Sequence, residues 1–215
     1  MPQRILVLMS ETGGGHRSAA EALAEAVEHL RPGQVQVELL DFIALCAPFP
    51  LNRAARLYRP TVHYAAPLWS WLWYASDDPR RMALFLRILI PLARGKLVAL
   101  LRQKKPDGIV SVHPLANHLA VQAVQELGQP LPVITVVTDL VSTHASWFCP
   151  DVDLCIVPSQ GARERALRAG ISPQKVRGVG LPVGRRFREM RWGRREAREI
   201  LGLRRDLPTV LLVGG

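Results

Sequence analysis

Residues 4–18 read Arg4-Ile5-Leu6-Val7-Leu8-Met9-Ser10-Glu11-Thr12-Gly13-Gly14-Gly15-His16-Arg17-Ser18. Ile5 to Met9 is an apolar run of strand length, and alanines and leucines then recur at helical spacing from residue 16 to about residue 30. Between the two, consecutive glycines strip the turn of Cβ atoms. Backbone N–H groups at the positive end of the helix dipole can therefore approach a ligand closely. His16, at the helix start, can take up a proton near neutral pH. No lysine follows the glycines, as a Walker phosphate loop requires, and their spacing is not the G-x-G-x-x-G of a dinucleotide site. Kinase and dehydrogenase readings both lose support. The remaining alternative for the motif is a plain strand-to-helix turn with a solvent-facing histidine.

Outward from that stretch the chain alternates. Strands are expected at 4–9, at 35–40 ending in Asp41, and at 109–112, 132–138 and 153–157. Helices are expected at 16–30, at about 115–127, and from a Ser159 cap to about Ala169, where Gly170 stops the last one. Such alternation predicts an α/β fold, a Rossmann-like doubly wound parallel sheet. In these sheets ligands gather beyond the carboxyl ends of the strands. The residues of note here follow strand ends: Thr12 to His16, His113, Thr138-Asp139 and Pro158-Ser159. A helical insertion at about 48–105 interrupts the pattern. It holds Trp69, Trp71, Trp73 and Tyr74, then Arg80 and Arg81, then an apolar helix carrying Arg87, Arg94 and Lys96. Two readings stand: a lipid-headgroup boundary, or aromatic packing of the insertion onto its own sheet.

The 215 residues, 48 % apolar and 21 % charged, describe a globular chain without repeats or low-complexity tracts. A net charge of +10 favours anionic partners. Nucleic acid ranks lowest, because basic and aromatic residues are not interleaved along strands. Cys46, Cys149 and Cys155 are odd in number and form no C-x-x-C pair, the pattern of reduced thiols in a cytoplasmic protein. Met1-Pro2-Gln3-Arg4 leads straight into a strand without a signal-peptide core. The longest apolar stretch, 82–93, is broken by Arg87 and Pro91 and falls short of a bilayer span of ~20 residues. After residue 183 comes an arginine-rich linker and helix surface at 184–208, then an apolar strand at 209–213 running into Gly214-Gly215. This ending is expected to be the first strand of a truncated second domain.

The motifs Thr12-Gly13-Gly14-Gly15-His16-Arg17, Ser111-Val112-His113-Pro114-Leu115, Val137-Thr138-Asp139-Leu140, His144 with Trp147-Phe148, Pro158-Ser159-Gln160, Arg165-Ala166-Leu167 and Val179-Gly180-Leu181-Pro182-Val183 recur in order. Together they resemble the acceptor-side domain of monogalactosyldiacylglycerol synthases and bacterial processive diacylglycerol glucosyltransferases. More distantly, the pattern is similar to the peptidoglycan N-acetylglucosaminyltransferase that acts on a lipid-linked acceptor.

The resemblance implies a GT-B glycosyltransferase with two Rossmann-like domains. Residues 1–183 would form the acceptor and membrane-side one, while a C-terminal domain would hold the UDP-sugar. It implies an inverting transfer of a hexose to diacylglycerol by an enzyme peripheral on the inner face of the membrane, with anionic lipids as partners and no essential metal. His16 would be the base and Asp139 would orient a histidine or the acceptor hydroxyl. Thr12, Gly13, Gly14, Gly15 and Arg17 would form the acceptor and phosphate loop, and His113, Pro114, His144 and Trp147 the lipid side. Val141 and Ala145 depart from the family's usual polar and proline positions, which leaves acceptor identity open. The chain alone is not expected to turn over. Two competing expectations are a non-catalytic lipid-binding module and a UDP-N-acetylglucosamine transferase to another lipid. His113 and His118, five apart and without an acidic cluster, do not have metal-ligand spacing.

Overall fold

The computed structural model describes residues 2–12, 14–53, 56, 64–189 and 192–212. They form two compact units, 1–184 and 185–215. In the first, six strands make one sheet: β1 (Gln3–Met9), β2 (Val35–Asp41), β3 (Gly108–Ser111), β4 (Val133–Val136), β5 (Leu154–Val157) and β6 (Val176–Gly178). The order is β2-β1-β3-β4-β5-β6, and every pair is parallel. The expected doubly wound α/β fold is present. β6, three residues long with two of them exposed, carried too little apolar sequence to be anticipated.

Burial on both faces explains why β1 reads as an unbroken apolar run. Leu6 and Leu8 point into one core, with Ile109, Val133 and the helices α4 (Pro79–Lys104), α5 (Pro114–Leu127) and α6 (Gln160–Arg168). Val7 and Met9 point into the other, against Ala20 and Leu23 of α1 (Gly14–Leu30). The chain leaves β1 toward β2 through α1, then crosses back past β1 through α4 to reach β3. This reversal puts the carboxyl ends of β1 and β3 side by side.

Local chemistry sets the helix ends as expected. Asp41 caps the short α2 (Phe42–Cys46) by accepting from Ala44 N–H at 3.0 Å. Ser159 caps α6 by accepting from Ala162 N–H at 3.1 Å, and Gly128 ends α5 at φ +68°. The insertion contains α3 (Ala66–Ser76) and all of α4. α4 continues through Pro91 for 26 residues, because Leu97, Val98 and Leu101 anchor its second half in the core. No helix among the described residues is long and apolar enough to cross a membrane.

The second unit holds a helix, α7 (Arg194–Ile200). Its arginines are partly paired: Arg204 with Asp206 at 2.6 Å, Arg205 with Glu199, and Arg198 donating to the Arg204 carbonyl. The strand expected at 209–213 is not formed over its described residues, 209–212, and Val210, Leu211 and Leu212 are exposed. A lone apolar segment has no neighbour to satisfy its backbone as a strand.

Leu97, fully buried between sheet and helices, is the sharpest test of this packing. Leu97→Ala should lower unfolding free energy by about 3 kcal/mol, read from urea denaturation; a loss below ~1 kcal/mol would show that α4 is not anchored as described.

Candidate active site

At the switch between β1 and β3, His16 and His113 meet with their ring centroids 4.6 Å apart. α1 opens at Gly14, two residues before the start expected from sequence, so His16 is its third residue, while His113 is the N-cap residue of α5. His16 Nδ1 lies 3.3 Å from Thr138 Oγ1, at the end of β4, and the Val112 carbonyl also engages the ring. Trp147 also packs against His16, its ring centroid 5.9 Å away. Burial lowers the His16 pKa below the ordinary histidine value, opposed by the negative charge of Asp139 and by the Val112 carbonyl. The ring is neutral at pH 7 and therefore able to accept a proton.

The glycine turn is open outward. A Cβ added at Gly14 or Gly15 would meet nothing within 4 Å, so the chain's own packing does not demand glycine there. Gly13 lies outside the described residues. Thr12 is tied back to the buried Ser10, whose Oγ sits 2.8 Å from Thr12 Oγ1 and accepts from Thr12 N–H at 3.1 Å. Arg17 is exposed and paired with Glu11 and, at 2.9 Å, with Glu21.

Asp139 does not hydrogen-bond a histidine. Its Oδ2 accepts from Trp147 Nε1–H at 2.7 Å, so its direct partner is the tryptophan and its effect on His16 is electrostatic. His113, His144 and Trp147, expected on the lipid side, are all interior, and Trp147 is fully enclosed. Pro114, half-buried, is the first residue of α5. Each buried group has a local task. Leu115 N–H donates to His113 Nδ1 at 3.2 Å. Ser146 N–H donates to His144 Nδ1 at 3.2 Å, while His144 Nε2 lies 3.1 Å from Ser76 Oγ and its ring packs on Trp73.

Two residues in this region, Asn117 and Asp77, escaped the sequence reading. The buried Asn117 donates from Nδ2 to the Trp147 carbonyl at 2.9 Å. Asp77, between α3 and α4, accepts from Ala145 N–H at 2.7 Å and from Arg165 of α6 at 2.9 and 3.0 Å. The only local signal was that of polar residues in apolar surroundings; their partners lie 30 to 88 positions away. Together they pin the 3-10 turn Ala145–Trp147 that presents Trp147 to His16.

His118 lies on α5, one of its ring nitrogens bonded to the Ser146 carbonyl, its pKa lowered by burial. Among the described residues no three histidine, cysteine or acidic side chains cluster as metal ligands. The three cysteines are buried free thiols, pushed up by burial to about 11 for Cys46 and Cys149 and about 12 for Cys155. Such thiols are poor nucleophiles.

His16, His113, His118 and His144 all have lowered pKa values in the fold, with burial as the first cause. For a depressed histidine the unfolded chain binds protons first, so stability is complete above the unfolded value near ~6.5 and falls as pH drops below it. Urea midpoints measured from pH 7.5 down to 5.5 should decline steadily; a flat profile would mean that these rings are not buried neutral.

The comparisons follow this geometry. A sequence profile of the family described as monogalactosyldiacylglycerol (MGDG) synthase matches residues 16–183. The chain is 36 % identical over its whole length to the chloroplastic monogalactosyldiacylglycerol synthase of Spinacia oleracea, of which it covers 41 %. Over 99 % of its length it is 34 % identical to monogalactosyldiacylglycerol synthase 2 of Arabidopsis thaliana, covering 46 % of that protein. Among solved structures, HepE of Anabaena in complex with UDP-glucose superposes with a TM-score of 0.51 at 14 % identity. That match covers 93 % of this chain and 50 % of the other, a likeness of fold alone. The chain spans less than half the length of these curated relatives.

Proposed function

This chain belongs to the monogalactosyldiacylglycerol synthase family, and from that premise we propose that it is the acceptor-side half of an inverting glycosyltransferase acting on diacylglycerol. The sugar is galactose, donated by UDP-galactose, as the names of the relatives suggest. One observation carries the catalytic part of this reading: a neutral, half-buried His16 stands at the switch of a parallel sheet, next to Gly14 and Gly15, which have open space at their Cβ positions, and within the electrostatic reach of the Asp139 carboxylate.

The chemistry follows from that placement. His16 takes the proton from the free hydroxyl of diacylglycerol as the hydroxyl oxygen attacks the anomeric carbon. The bond from that carbon to the UDP oxygen breaks, the electron pair leaves with UDP, and the configuration inverts to a β-glycoside. Asp139 favours the imidazolium formed on the way, and Trp147 holds that carboxylate in place. The donor is held by the part of the protein beyond this chain, so the chain alone binds acceptor without turning it over.

Membrane docking rests on a second observation. Besides its core face, α4 exposes Leu84, Phe85, Ile88 and Leu92, and α3 exposes Leu68, Trp71 and Tyr74, beside the exposed Arg80 and Arg81. Apolar residues ringed by arginine suit the headgroup boundary of an anionic bilayer.

In the full-length protein, His16→Ala should reduce transfer of labelled galactose to diacylglycerol in liposomes by ~10²–10⁴-fold without changing liposome binding. Retained turnover would remove His16 as the base. Replacing Trp71 by Ser together with Ile88 by Glu should weaken vesicle sedimentation at least ~10-fold; unchanged sedimentation would place the membrane contact elsewhere.

A further inference from the structure

His113 does more at the start of α5 than a cap requires. Its Nδ1 accepts from Leu115 N–H at 3.2 Å, so that nitrogen carries a lone pair and the ring proton sits on Nε2. Its backbone is held from both ends by Ser111, whose Oγ accepts from His113 N–H at 3.4 Å and donates to the His113 carbonyl at 3.1 Å. Phe42 packs on the ring at 5.0 Å and His16 lies against it at 4.6 Å with 56° between the planes. The ring is clamped, buried and uncharged.

We propose that His113 is a positioning residue for His16, its capped and clamped ring fixing the plane and tautomer in which His16 stands. The proposal rests on the reading of His16 as base. Around His16 the other charged groups are Asp139 and, on α1 and the turn before it, Arg17, which is committed to Glu11 and Glu21. The Val112 carbonyl can only accept, so it favours the His16 tautomer whose proton faces it. Turning the ring would exchange its two nitrogens, and the His113 and Trp147 rings pack against it with centroids 4.6 and 5.9 Å away. Burial lowers the His113 pKa well below the ordinary value, so it does not place a second cation beside His16 as the pH falls through neutrality.

Asparagine caps helices as well as any residue, so His113→Asn removes the ring and keeps the cap. The chain, labelled with ¹⁵N in its histidine rings, would be followed by long-range ¹H–¹⁵N NMR from pH 4.5 to 8.5, with urea denaturation alongside. The wild type should show one His16 tautomer and a midpoint below ~6.5. His113→Asn should keep a urea midpoint close to wild type while His16 moves upward toward ~6.5 and shows both tautomers. His113→Phe, which keeps a ring and loses the cap, should preserve the His16 tautomer and lower the urea midpoint. An unchanged His16 signal in His113→Asn overturns the proposal. So does a His113→Asn chain that does not fold, since the ring would then be inseparable from the cap. His16 titration is read here without turnover, whereas the activity of His16→Ala decides whether His16 is the base; the two ideas therefore fail separately.

Discussion

β1 is hydrogen-bonded on both edges and buried on both faces, and the rest of the domain is arranged by that constraint. Its ladder pairs Gln3–Met9 with β2 on one side and Ile5–Leu8 with β3 on the other. A strand enclosed in this way must send one connection to each face, α1 to the first and α4 to the second. The reversal of direction that follows opens a crevice above β1 and β3, where no crossover helix covers the strand ends. His16 and His113 are the first residues of consequence beyond those two ends.

Around this crevice the polar groups are used to hold one another. Asp139 faces His16 but is bonded to Trp147; Trp147 is held through its carbonyl by Asn117; the turn that carries Trp147 is tied to Asp77, and Asp77 to Arg165. An ion pair of this kind, about a quarter to a third exposed on each side chain, contributes modestly to stability. Its position matters more than its strength, since it joins α3, α6 and the 145–147 turn at one point. His16 and the end of α3 are thus joined through a short series of hydrogen bonds and one ring contact.

The long helix α4 faces in two directions with different consequences. Met82, Leu86, Ile90, Ala93 and Leu97 belong to the core, while Leu84, Ile88 and Leu92 repeat every fourth residue on the outside. An ordinary surface helix would carry charge on that outer row. Exposing it costs free energy in water that burial in a lipid boundary would recover. The aromatics of the insertion divide between the two faces: Trp73 is drawn inward onto His144, whereas Trp71 and Tyr74 face out.

Much of the architecture was legible in the order of the residues because its causes are local. An apolar run too short for a helix, a glycine turn, a serine or aspartate three residues before the N–H it caps, and a glycine at positive φ all act within a few positions along the chain. They were enough to determine the parallel α/β fold and the placing of His16 at a strand end. The strand order could not be read in the same way, and β6 was not anticipated, since strand formation depends on a neighbour that local composition does not reveal. The partners of Asn117 and Asp77 were equally out of reach. Which hydrogen bond a buried polar group makes is decided by what the folded backbone brings within about 3 Å of it, and here those atoms come from 30 to 88 positions away along the chain.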